Sequence, residues 1–474
     1  MCQRTITANV VALEQPYWYN RLGAFNPEGK IYALKRDVVD LNNVPLTQGG
    51  AAVAGAVKLR PDKRPRPIVL RMNVGDCLEV TFTNLLPPPP ADPKDTEQPV
   101  TRYASVHVNG MQPVNDIDDD GSNVGLNASS LAAPGDTKVY KFYANAENTY
   151  LLYSMGATWG AEGAGGTLSF GLFGAVNVEP SNSEWYRSQV THEELALATV
   201  GRTTPIPPDV VGHPIIDYDA LYPNAQPFIA EGKANLPILD MQCNAAAAAA
   251  GACVLNEIVH SDISAIITGP DRGPIDGGPQ PGIKYGDPAI ANPANDQTVD
   301  PVTGEQVRDR TAPFRESTII FHDEIFAKQA FPEFFGDPVL QHTLHSVRDG
   351  FAINYGTGGI GAEVIANRLG VGPMWDCIDC KYEEFFLTSW AVGDPAMNVD
   401  DPANAPDPET GAVVGPKADK ALWPADPSNV FHTYMNDNVK YRNLGAGPKE
   451  HHIFHLHTHQ WLFSPLDDES TYLD

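Results

Sequence analysis

Short runs of β-branched and aromatic residues, broken by proline and glycine, recur along this chain, and runs of that kind read as strands. With 42 Pro and 41 Gly among them, the chain is expected to be all-β, built of β-sandwiches with long loops. One such run, Arg4 to Leu13, begins almost at the first residue. Others are Glu257 to Thr268, and Glu316 to Phe321, which looks like the opening strand of a later sandwich. A length of 474 residues allows about three domains with sizeable cores.

The segment His451-His452-Ile-Phe-His455-Leu-His457-Thr-His459 places five of the 13 histidines within nine residues. In an extended strand His455, His457 and His459 share one face, with Leu456 and Thr458 on the other. His452 precedes His455 by three and can face a different centre. Neutral imidazole suits copper, zinc, iron and nickel, and the cluster reads as most of a copper site, with His452, His455, His457 and His459 as ligands. A solvated histidine-rich strand is the competing reading. The neighbours Ile453, Phe454, Leu456, Trp461, Leu462 and Phe463 argue against it, being residues expected in a core.

The string His452-x-x-His455-Leu-His457-x-His459 resembles the first of two C-terminal copper motifs in multicopper oxidases of the cupredoxin superfamily. Val74 to Asn84, Pro134 to Tyr143, Thr149 to Met155 and Gly171 to Pro180 follow the order of that family's N-terminal domain. The resemblance implies tandem cupredoxin-like Greek-key sandwiches. It also implies that His452 binds type 1 copper, His455 type 2 copper and His457 a type 3 copper, in a parent enzyme that couples one-electron oxidations to dioxygen reduction. Arg348 to Tyr355, Arg442 to Gly447 and His455 to Trp461 look like segments of the long bacterial members related to manganese-oxidation proteins. Such proteins are generally exported, which implies a periplasmic or extracellular location.

The chain departs from the family at both ends. Where the family has His-Trp-His-Gly, this chain has His107-Val-Asn109-Gly110, and where it has His-Ser-His this chain has Tyr153-Ser154-Met155. A trinuclear centre needs about eight imidazoles, and Asn, Tyr and Met supply none. His107 is therefore expected to be structural. The motif that carries the type 1 thiolate is missing too, since no Cys follows Cys380 and blue copper needs one. The expectation is a fragment, or a chain completed by downstream domains or a partner carrying the Cys-containing motif, with dioxygen and a reducing substrate or metal ion as reactants. A non-catalytic copper-binding or structural module is the alternative.

The expected organisation is a cupredoxin-like domain with degenerate motifs over 1–182, a linker, insertion or additional β region over 183–315, and a second cupredoxin-like domain over 316–474. An internal echo supports two related units: Val80 to Asn84 leads to His107 as Val439 to Asn443 leads to His452 and His455. The net charge of −27 disfavours nucleic acid and anionic membranes and favours cations. No run of apolar residues is long enough to span a membrane, and no signal peptide is visible. Cys243 and Cys253 flank an alanine-rich, flexible loop and can pair in an oxidising compartment. Cys377-Ile-Asp-Cys380 remains open between a redox pair, half a zinc site and a local disulfide. Asp116-Ile-Asp118-Asp-Asp120-Gly121 matches half a calcium loop, but Asn127 stands where the bidentate Glu belongs, so a solvated acidic turn is expected. His322, His342 and His345 are weaker metal candidates that could simply decorate loops.

Overall fold

The computed structural model describes residues 2–18, 24–26, 28–63, 65–89, 91, 102–122, 125–156, 166–188, 190–202, 204, 214–268, 297–299, 306–308, 314–322, 328–329, 352–354, 358–360, 398–400, 418–421, 439–447, 454, 456, 458–464 and 470–473.

The described residues form strands and loops with only a few short helical turns, an all-β architecture. Its strands include β1 (Thr5–Glu14), β2 (Lys30–Leu34), β3 (Ile68–Asn73), β4 (Cys77–Asn84), β5 (His107–Val108), β6 (Gln112–Pro113), β7 (Thr137–Tyr143), β8 (Asn148–Tyr153) and β9 (Phe173–Glu179). One sheet runs β6-β7-β4-β1-β2 and a second runs β3-β9-β8-β5. Between them lie Ile6, Ala8, Val10 and Ala12 of β1, Leu78, Val80 and Phe82 of β4, Leu70 and Met72 of β3, and Val176 and Val178 of β9. The period-2 spacing of these residues puts one face of each strand into this core. Two parallel pairs set the frame: β1 lies beside β4 with Thr5 opposite Cys77, and β9 lies beside β3 with Gly174 opposite Ile68. A Cβ on Gly174 would lie 2.4 Å from the Ile68 carbonyl oxygen, so close approach of backbone requires glycine there.

Strands β3 and β9 are buried along their whole length. Their second face is covered by another sheet, formed by β10 (Glu184–Arg187), β11 (Ser264–Thr268), β12 (Phe314–His322), β13 (Ala352–Asn354) and β14 (Gly358–Ile360), with β15 (Val439–Gly445) paired to β12. Val69, Phe173, Ala175, Ile263, Ile320 and Ala446 share the apolar part of this junction. Two-sided burial explains why these strands read as nearly continuous apolar runs. Strands β10 and β11, from the stretch 183–315 expected to be a linker, insertion or additional β region, thus join one sheet with β12: β10 pairs antiparallel with β11, and β11 with β12.

The internal echo has a topological counterpart. Strand β4 runs parallel to β1, and β15 runs parallel to β12 with Arg315 opposite Val439 and Ile319 opposite Asn443. The two copies of the Val-x-x-x-Asn segment occupy equivalent places beside a long opening strand.

Two disulfides fasten the fold. Cys243–Cys253 closes the alanine-rich loop as the spacing suggested, but the loop is not flexible coil: Ala245–Ala249 form a helical turn capped by the Asn244 side chain. This closed loop presents 256–258 to the exposed edge of β1, where Thr7 N–H donates to Asn256 O (3.1 Å) and Ile258 N–H to Thr7 O (2.8 Å). The Glu257 carboxylate then accepts from Arg36 at 2.8 Å and Asn9 at 3.2 Å. Covering a free strand edge in this way removes a site for unwanted pairing. The second disulfide, Cys2–Cys77, was not foreseen; it spans 75 residues and ties the N-terminus to the start of β4.

Candidate functional site

Strand β5 pairs antiparallel with the end of β8, placing His107 opposite Tyr153 and Val108 opposite Leu152. Of the four positions at which the resemblance expects histidine, this register pairs His107 with Tyr153 and leaves Asn109 and Met155 to either side of that pair. Asn109 N–H donates to Leu151 O at 2.9 Å, and Met155 N–H donates to Ser105 Oγ at 3.0 Å. Ser154 Oγ in turn accepts from the N–H of Ser105 and of Gly156, both at 3.2 Å. Buried Ser105 and Ser154 therefore lock the two strand ends in register.

The His107 ring is held on two sides. Its Nδ1 lies 2.9 and 2.8 Å from the two carboxylate oxygens of Asp120, and its edge meets the Tyr153 ring at a centroid distance of 5.1 Å. Burial, and then the charge of Asp120, push the Tyr153 hydroxyl above its ordinary range. An Nδ1–H donated to a carboxylate leaves Nε2 as acceptor, the arrangement found behind metal-bound histidines as well as structural ones. The face thus carries one imidazole, one phenol, one thioether and an exposed amide. A single imidazole cannot hold a multicopper centre, so the first sandwich does not fit such a cluster.

The acidic turn between β6 and β7 is occupied with its own backbone. Asp116 accepts from Asp118 N–H at 3.0 Å, Asp119 accepts from Asn115 N–H at 2.6 Å, and Asp120 is taken by His107 and Ser122. Gly121 serves close packing, since a Cβ there would lie 2.3 Å from the Val106 carbonyl oxygen. Among the described residues no group of three or more His, Cys, Asp or Glu is placed to hold a metal ion.

Of the C-terminal histidines, His451, His452, His455 and His457 lie outside the described residues, as do His342, His345, Cys377 and Cys380. The residues described around them correct the strand argument. Thr458 has φ of 66°, a conformation unfavourable for a β-branched residue, and His459 N–H donates to Leu456 O at 3.2 Å. A turn therefore ends the alternation before His459, which is exposed and does not follow in the extended register assumed for it. Phe454 packs between Tyr441 of β15 and Trp461, with ring centroids 5.6 and 5.4 Å away. Phe454, Leu456, Trp461 and Leu462 are half-buried, whereas Phe463 is exposed, contrary to the expectation of a core residue.

His322 is no loop decoration. It ends β12 with no exposed surface, edge-on to Phe173 at 4.7 Å, and burial pushes its imidazole down to about 3. His260 is likewise buried, with Nε2 2.8 Å from Pro237 O, and burial followed by Arg187 pushes it down to about 3. Both are neutral core histidines at physiological pH.

Sequence reasoning missed a buried charge cluster at the junction of the sheets. Glu316 Oε1 accepts from Arg71 Nε (3.0 Å) and Asn177 Nδ2 (2.7 Å), while Glu316 Oε2 accepts from Arg442 Nε (2.9 Å). Arg442 Nη2 reaches Glu179 at 3.0 Å and Glu147 at 3.1 Å. No motif marks Lys440, Arg442, Glu316 and Thr318 in the sequence; the stacking of β12 and β15 on β3 and β9 turns them inward.

No family model matches the chain, and no curated protein matches it in sequence. Among solved structures it is similar to a copper nitrite reductase from Nitrosomonas europaea, at 17% identity over 38% of this chain and 42% of that one with a TM-score of 0.22. It is similar to a multi-copper oxidase from Pseudomonas thermotolerans at 19% identity over 37% of this chain and 30% of that one, with a TM-score of 0.21. A blue copper oxidase from Nitrosomonas europaea aligns at 15% identity over 38% of this chain and 40% of its own, with a TM-score of 0.22. The chain thus spans under half the length of each. The copper chemistry named there belongs to those proteins.

Proposed function

We propose that this chain is the copper-binding part of a multicopper oxidase that couples one-electron withdrawal from a reducing substrate or metal ion to dioxygen reduction. Copper is held in the C-terminal segment by His452, His455 and His457, with His459 contributing from the turn. The observation that carries this reading is the repeated topology. Strand β15 stands to β12 as β4 stands to β1, and in chain order the histidine segment follows β15 as β5, the strand that bears His107, follows β4. The first sandwich presents His107 as a single imidazole where such a site needs several, and on this reading the thiolate of an electron-entry copper comes from further polypeptide or a partner chain. Two disulfides among the described cysteines favour an oxidising, periplasmic or extracellular setting. No helix among the described residues is long and apolar enough to cross a membrane.

The single imidazole on the first sandwich favours a second reading, a copper-binding module without turnover. Both readings share the same ligands, and copper titration of the whole chain tests them. Wild type is expected to bind copper tightly, His455→Ala/His457→Ala to lose most of that affinity, and His459→Ala to lose less. Equal affinity in wild type and the double variant contradicts the assignment. Oxygen uptake on addition of the Cys-bearing polypeptide then separates oxidase from module.

A further inference from the structure

The junction cluster distributes its charges unevenly. Glu179 and Glu316 both have side chains with no exposed surface, yet Glu316 receives strong donors on both oxygens and Glu179 does not. Two donors of Arg71 are committed elsewhere, Nε to Glu316 and Nη1 to the Asp262 carbonyl at 2.7 Å, while Nη2 lies 3.0 Å from Glu316 Oε1 without making a hydrogen bond among the described residues. The nearest approach of Arg71 to Glu179 is 4.0 Å, too long for a hydrogen bond. Arg442 offers Glu179 only Nη2, which Glu147 shares. Lys440 is paired with Glu147 and stands 3.9 Å over the Phe314 ring. Glu179 Oε1 has no hydrogen-bond partner among the described residues when treated as an acceptor.

A buried carboxylate with a bare oxygen beside a second carboxylate is unfavourable, and protonating one of the two relieves both the desolvation and the repulsion. We propose that Glu179 is carried as the neutral acid, sharing its proton with Glu316, and that this proton governs how tightly β12 and β15 dock on the first sandwich. The groups facing Glu179 are Arg71 from β3, Glu316 and Thr318 from β12, Lys440 and Arg442 from β15, and Glu147 from the turn before β8, with Asn177 on its own strand. Burial, and then the charge of Glu316, raise Glu179 well above the ordinary carboxylate range, whereas Arg71 and Arg442 hold Glu316 below it against the effect of burial.

The sign follows from linkage. The unfolded chain gives up this proton near the ordinary value, about 4.3, while the folded chain keeps it, so stability falls as pH rises towards the folded value. The test uses the whole chain as wild type, Glu179→Gln and Glu316→Gln, following urea midpoints from about pH 4.3 upward, where the unfolded chain has given up the proton, and amide exchange in β12 and β15. Glutamine reproduces a neutral acid but not a carboxylate. Glu179→Gln is therefore expected to flatten the fall that begins above about pH 4.3 and leave exchange unchanged, and Glu316→Gln to speed exchange by about tenfold or more. A Glu179→Gln chain with the slope of wild type, or with exchange as fast as Glu316→Gln, overturns the proposal. Should Glu316→Gln fail to fold, the comparison of slopes in wild type and Glu179→Gln decides alone.

Discussion

His260 shows how a single side chain sets a pH response. Its imidazole is neutral in the fold, pushed down to about 3 by burial and by Arg187, whereas in the unfolded chain it titrates near 6.5. Below that value the unfolded state binds the extra proton, so this group removes up to about 1.4 kcal/mol of stability per pH unit as pH falls towards 3. Asp240, raised to about 7 by burial, and Glu179 act in the opposite sense above pH 4, so the total slope understates each part. The difference in urea midpoint between wild type and His260→Gln isolates the histidine: wild type should lose ground on the variant below pH 6.5, and parallel profiles would contradict the assignment. Sterics give a second residue-scale expectation. Gly174→Ala drives a Cβ onto the Ile68 carbonyl and should cost about 1–3 kcal/mol, read as a lowered thermal midpoint with unchanged far-ultraviolet circular dichroism at low temperature.

Individual strands were legible because alternation of apolar residues is local, as Ile6, Ala8, Val10 and Ala12 illustrate. What depends on stacking was not. No motif marks Lys440, Arg442 and Glu316, which the packing of two sheets turns inward. Cys2 and Cys77 are neighbours because β1 and β4 lie parallel with Thr5 opposite Cys77, a register no spacing encodes. The left-handed Thr458 equally left no signal, so His459 was assigned to a strand face that a turn interrupts. The two disulfides should differ in weight. On the chain-entropy model the short Cys243–Cys253 loop contributes about 2–3 kcal/mol and the long Cys2–Cys77 loop about 4–5 kcal/mol. Urea unfolding of Cys243→Ser/Cys253→Ser and Cys2→Ser/Cys77→Ser checks the order. The first pair also holds 256–258 against β1, so its loss should speed exchange of the Ile258 amide.

At the scale of the whole molecule, the proposed roles of the two ends of the chain are unequal. The first sandwich holds His107 engaged by Asp120 and packed on Tyr153, and the proposal puts the copper on the segment after β15. How much of that site was legible divides the same way. The histidine motif and the losses at Asn109, Tyr153 and Met155 are plain in the sequence, because ligand identity is a property of residues. Electron paramagnetic resonance of the copper-loaded chain, read for nitrogen hyperfine structure, tests the division directly. The prediction is a signal without type 1 character that survives His107→Gln and disappears in His455→Ala/His457→Ala. A signal lost with His107→Gln and kept in the double variant would place the copper on the first sandwich and contradict the account.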